Sequence, residues 1–156
     1  METNELYLRT AFCCMACDGD IAPEELELIR EYTSNNELFL HLDVESKLNE
    51  YVAEINQKGV LFLNTYLKDI ANLFLTEMQE LNIVRFAIQM IEADNKVEYS
   101  EVYFFKKIRL NLNISDAVIL ENMPGKEDYL LPDIIQNEYE FILDTAFLTI
   151  DLKIDV

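Results

Sequence analysis

Apolar residues recur along the first 110 positions at intervals of three and four, which is the spacing of one face of a helix. Leu6, Leu8, Ala11, Phe12, Met15 and Ala16 form the first such stripe. Pro23 suits a first helical position. Glu24 and Glu25 then place negative charge at the positive end of that helix, which continues through Leu26, Leu28, Ile29 and Tyr32 and stops near Asn35 and Asn36. Asp43 is an N-cap for the next stripe, formed by Val44, Leu48, Tyr51, Val52 and Ile55. Gly59 is placed to end that helix in the left-handed conformation. An apolar helix is expected from Val60 towards Leu75. Thr76 with Gln79 then makes a capping-box pattern for a helix from Glu77 to about Ala93. A further helix is expected from about Tyr99 to Leu110. Ser115 caps a short one that ends before Pro124 and Gly125.

Beyond that point the pattern changes. Ile150, Leu152, Ile154 and Val156 alternate with Asp151, Lys153 and Asp155, a period of two that predicts a terminal strand pairing in a small hairpin or with a second copy of the chain, hence a homodimer. The stretch from Asp133 to Phe147 is read as helix, with strand as the alternative. Residues 116–156 hold ten acids and two lysines.

The chain repeats itself. Ala11 to Ile21 aligns with Ala87 to Val97 at a shift of 76 positions, and further on Glu25 falls on Glu101, Leu26 on Val102 and Ile29 on Phe105. Each copy reads as an apolar helix, Asp, Gly or Asn, one variable residue, Ile or Val, then Glu in a second helix. Gly and Asn tolerate the positive φ that a helix end requires, and the following aliphatic residue is expected to tuck into the core. The fold expected is therefore all-α: a pseudo-twofold domain of about six to seven helices over residues 1–112, with an acidic extension over 113–156 packed on it.

Composition narrows the function classes. Of 156 residues 51% are apolar, so the chain is not disordered despite a net charge of −18 from 12 basic and 30 acidic residues. That charge argues against binding a nucleic-acid backbone, which needs Lys and Arg to displace counterions. The opening residues lack a basic segment followed by an apolar one, so no secretory signal is expected. The apolar run from Val60 to Leu75 is interrupted by Asn64, Lys68, Asp69 and Asn72 and is too short to insert in a bilayer. Cys13, Cys14 and Cys17 cannot form a disulfide framework. In a helix Cys13 and Cys17 share a face, which leaves a metal or redox site open beside buried small side chains. The second is the simpler, since a thiolate zinc site needs two more ligands and His41 is the only imidazole. Reduced thiols fit a cytoplasmic location.

Two readings are open for the corners between repeat helices. Asp18, Asp20 and Glu25, joined by Asp94 and Glu101, offer the oxygen ligands that a hard divalent cation prefers. Alternatively, Glu25 and Glu101 are third-position helix residues reaching back to the N-cap amides of Ala22 and Glu98, and Asp18 and Asp94 bond amides of their own turns. Lys96 stands where the first copy has Asp20, so a metal at only one corner would sit at the first. An EF-hand is excluded by spacing: counted from Asp18, the required Gly is Pro23 and the bidentate Glu is Ile29.

The stretch Ala16-Cys17-Asp18-Gly19-Asp20-Ile21-Ala22-Pro23-Glu24-Glu25-Leu26, with its echo at Ala93-Asp94-Asn95-Lys96-Val97 and Glu101, resembles the TerB-like family, named for bacterial tellurite resistance. The resemblance covers about residues 4–112. It implies an all-α domain of two similar halves, a non-enzymatic part in bacterial stress response, sometimes in membrane-linked assemblies, and metal binding at Asp18, Glu25, Asp94 and Glu101. It also implies a protein partner, with a basic surface or within a membrane-associated complex. The alternative is an acidic helical scaffold that binds partners without metal. Catalysis is not expected, because no nucleophile–His pairing, phosphate loop or cofactor fingerprint is present and His41 has no acidic orienter.

Overall fold

Two helices bury more than half of their residues, and such helices belong at the centre of a fold. In the computed structural model, which describes residues 2–93 and 97–131, these are α1 (Thr3–Ala16) and α5 (Glu77–Glu92). The buried positions of α1 include Leu6, Leu8, Phe12, Cys13, Cys14 and Ala16. Those of α5 include Leu81, Ile83, Val84, Ala87, Met90 and Ile91. The two pack side by side. Gln79 Nε2 donates to Thr3 Oγ1 at 3.3 Å, Asn82 Nδ2 donates to the Tyr7 hydroxyl at 3.2 Å, and the Tyr7 and Phe86 rings lie 5.0 Å apart. First turn meets first turn, and the following corners also meet, so the helices run in the same direction. Thr3 and Gln79 are themselves one repeat apart, as expected near a twofold relation.

Around this pair stand α2 (Pro23–Ser34), α3 (Val44–Lys58), α4 (Val60–Asn72), α6 (Tyr99–Leu110) and α7 (Asp116–Asn122), with 3₁₀ turns at Glu37–Phe39 and Glu127–Leu130. Seven α-helices and no strand are found among the described residues. The hairpins α1–α2 and α5–α6 are the two repeats, and α3 and α4 are the helices between them. The expected caps form. Asp43 accepts from Ser46 N–H at 3.1 Å, Thr76 and Gln79 make the reciprocal capping box, and Ser115 accepts from Val118 N–H at 3.2 Å. Gly59 does take a positive φ of 60°, but its ψ of −133° lies outside the left-handed helical region, because the chain starts α4 at the next residue instead of leaving the helix axis by a relaxed turn.

Helices α3 and α4 cover α1 through an aromatic cluster in which the Phe12 ring lies 5.5 Å from Tyr51 and 5.7 Å from Phe62. The Arg9 guanidinium sits over both Tyr51 and Phe62 and is neutralised by Asp69 at 3.2 Å. The buried Thr10 and Tyr66 hydroxyls bond each other at 2.6 Å. Glu80, also buried, has one carboxylate oxygen 2.8 Å from the backbone N–H groups of both Asn113 and Ile114, which fixes the turn between α6 and α7. The segment after residue 112 packs on the helical body through Ile119 and Tyr129. The expected terminal strand and the Asp133–Phe147 helix lie outside the described residues. No helix among the described residues is long and apolar enough to cross a membrane.

Candidate functional site

The first corner is built from local rules. Helix α1 ends at Ala16, and Gly19, at φ 87°, turns the chain and donates its N–H to the Ala16 carbonyl at 3.1 Å. Asp18 Oδ1 accepts from Asp20 N–H at 3.0 Å, closing an Asx turn that leaves both carboxylates at the surface. Ile21 is then buried, at 1% exposure, and anchors the corner to the core. Ala22 is the extended N-cap of α2, Pro23 follows, and Glu25 stands in the first turn, where the nearby Ala22 backbone favours its charged form without closing a capping box.

The second corner is only partly alike. Glu101 is buried and accepts from Glu98 N–H at 3.0 Å, closing a capping box that Glu25 does not close at the first corner. Val97, aligned with Ile21 and expected in the core, is instead 50% exposed. The resemblance between the copies therefore extends to a first-turn glutamate, and not to its capping bond or to the aliphatic anchor. Asp94 and Lys96 lie outside the described residues.

Because α1 and α5 run in the same direction, the corners end up as neighbours. The Cys17 thiol donates to the Ser100 carbonyl at 3.6 Å, across from the first turn of α6. Glu25 consequently feels charge from both copies. Its carboxyl is pushed up to about 7, first by burial, then by Asp18, with Glu101 and Asp20 adding to the effect and the Ala22 amide opposing it. Asp18 is also raised, by burial first and then by the charges of Asp20 and Glu98, against hydrogen bonds from the turn; it keeps much of its surface in water, so solvent screens the effect there. Two helix C-termini point their negative dipole ends at the same region. No basic side chain pairs with Asp18 or Glu25 among the described residues.

Of the five expected ligands, Asp18, Asp20, Glu25 and Glu101 thus lie in one electrostatic neighbourhood. Among the described residues, however, no three acidic, His or Cys side chains converge closely enough to hold a metal ion. Asp18 is held as a turn closer and Glu101 as a helix cap. Glu98 belongs to the neighbourhood and was not among the expected ligands. The signal for it was present in the repeat, where Glu98 aligns with Ala22, so the second copy gains an acid there while Lys96 replaces Asp20.

The three thiols are buried, as small apolar side chains are. Burial pushes each thiol well above its ordinary pKa, so they are neither thiolate ligands nor nucleophiles in this packing. His41 is exposed. An open cavity of about 340 Å³ lies between α2 and α3, lined by Phe39, Leu42 and Val44 with the Arg30–Glu45 ion pair at its edge. It holds no convergent set of polar groups of the kind that orients a small ligand.

No family model, curated protein or solved structure matches the chain. The TerB-like resemblance therefore rests on the corner residues alone.

Proposed function

We propose that the chain is a non-enzymatic binding module of the tellurite-resistance, stress-response type, responsive to a divalent cation at its paired acidic corners. The observation that carries this reading is the crowding of Asp18, Glu25 and Glu101 from two repeats into one half-buried region, where Glu25 is held up at about 7. Carboxylates that raise one another in this way are relieved by a hard cation, which prefers oxygen ligands. Asp18, Glu25 and Glu101, with Asp20 and Asp94, are the residues that would hold it, and the described side chains among them would have to turn towards one another to do so.

The test is thermal melting of protein purified without chelator, titrated with calcium, magnesium, manganese and zinc, alongside elemental analysis. A raised melting temperature with one of these ions, abolished in the double variant Asp18→Ala with Glu25→Ala, supports the proposal. No shift with any of the four ions removes the metal from it.

A second reading, an acidic scaffold without metal, is favoured by a different observation. Phe74 is wholly exposed at the α4–α5 turn, with Leu73 and Met78 exposed beside it. Contiguous exposed apolar side chains mark contact surfaces. Salt-sensitive association with a basic partner that survives the two corner substitutions is the result expected of a scaffold.

A further inference from the structure

Residues 123–126 separate α7 from the last 3₁₀ turn, and Gly125 within them has a φ of 87° and no neighbouring atom within 4 Å of where a Cβ would stand. Beyond this open bend, the described chain is attached to the helical body at few points. Tyr129 is the one fully buried residue between 124 and 131. Its ring packs edge-on against Phe105 of α6 at 5.4 Å, and its hydroxyl donates to Glu92 Oε2 at 3.0 Å. Lys126 Nζ reaches both oxygens of the same carboxylate, at 2.8 and 2.9 Å. Both polar attachments thus converge on one side chain, Glu92, at the last turn of α5 and two residues before Asp94. Helix α7, by contrast, is held independently by the buried Ile119 and by Arg109, which donates to Asp116 at 2.9 Å.

We propose that residues 125–131 form a hinged arm, with Glu92 as its catch, that opens about Gly125 as a unit while the seven-helix body stays folded. A segment joined by one buried ring, the half-buried Leu130 and one carboxylate belongs to the low-stability end of a structure, where local opening precedes global unfolding. Opening uncovers the Phe105 ring face and frees the Glu92 carboxylate in a single movement. The inference stands on hydrogen bonds and packing and does not depend on the cation reading.

Chymotrypsin cleavage at the 129–130 bond, followed by mass spectrometry on the full chain, reads the arm, since Tyr129 is inaccessible while the arm is closed. Cleavage after the exposed Phe74 serves as internal reference. Glu92→Gln, which weakens both attachments, is expected to raise the 129–130 rate about tenfold relative to Phe74 with helicity and melting temperature unchanged. Tyr129→Phe, which keeps the ring and loses one bond, is expected to raise it by a smaller factor. Two results would overturn the proposal: a Glu92→Gln rate equal to that of the native chain, or a raised rate accompanied by loss of helicity and new cuts within α6. The first means that Glu92 is not the catch, and the second that arm and body open together.

Discussion

The Cys17 thiol and the Ser100 carbonyl meet at 3.6 Å, and so the end of the first repeat helix lies against the start of the second repeat's outer helix. This contact is a consequence of α1 and α5 lying side by side in the same direction. Had they packed in opposite directions, the two acidic corners would stand at opposite ends of the molecule, roughly the 20 Å length of a fourteen-residue helix apart. Their shared electrostatics thus follow from the helix pairing and not from the corner motif itself.

The corners differ in how they are anchored, and that difference is measurable. Ile21→Ala removes a fully buried side chain and is expected to cost about 2–4 kcal/mol in urea unfolding. Val97→Ala, at the aligned but exposed position, is expected to change stability by less than about 0.5 kcal/mol. Equal costs would mean that the second corner is buried as the first is.

Glu25 gives the stability a pH dependence of defined sign. Its folded-state carboxyl, at about 7, lies above the ordinary value of 4.5, so the native state holds a proton that the unfolded chain releases. The contribution is fully present below pH 4.5 and is lost as pH rises through about 7. Glu25→Gln keeps the size and polarity of the side chain and removes the charge. It is therefore expected to match the native chain at pH 5 and to exceed it at pH 8. Solvent at this half-exposed site limits the gain to about 1 kcal/mol. Melting curves at the two pH values check it; a variant less stable at pH 8 would contradict the assignment.

Glu80 is the polar side chain on which the α6–α7 connection depends. Glu80→Ala leaves the Asn113 and Ile114 amides without their acceptor, at an expected cost of about 2–4 kcal/mol. Glu80→Gln, which retains one acceptor oxygen, is expected to recover roughly half of that. Denaturant unfolding of the two variants distinguishes this hydrogen-bonding role from simple packing, for which Gln and Glu would be equivalent.

The thiols supply a check on the core. Cys13, Cys14 and Cys17 are buried and their pKa values are raised, by burial above all. Reaction with a thiol-specific disulfide reagent at pH 8 is expected to be slower in the native protein than in denaturant by about a hundredfold or more. Immediate reaction of even one thiol in the native state would show that the end of α1 is accessible.

Much of the fold was legible because its signals are local. Asp43, the Thr76–Gln79 box and Ser115 each mark a helix start through bonds made within one turn, Pro23 does so through its fixed φ, and the observed starts fall where those residues place them. Glu101 was legible as a capping residue for the same reason, whereas Glu25 holds the equivalent position in α2 without closing the expected bond. Burial of Glu80 carried no comparable signal: its partners are 33 and 34 positions away, and an acid in the first turn of a helix reads as an ordinary exposed residue. The latch at Glu92 was hidden likewise, since Lys126 and Tyr129 become its partners only when the chain after α7 folds back on α6.

The amino-acid order alone determined the all-helical character of the described residues, the positions of the helix ends and the existence of two related corners, because periodicity and capping act over three or four residues. Tertiary structure decided that α1 and α5 would lie parallel, that Ile21 would be buried while Val97 stayed in water, and that Glu25 would share its surroundings with Glu101. Those outcomes depend on which apolar surfaces meet and how much water they exclude, and burial of that kind is a property of the assembled helices.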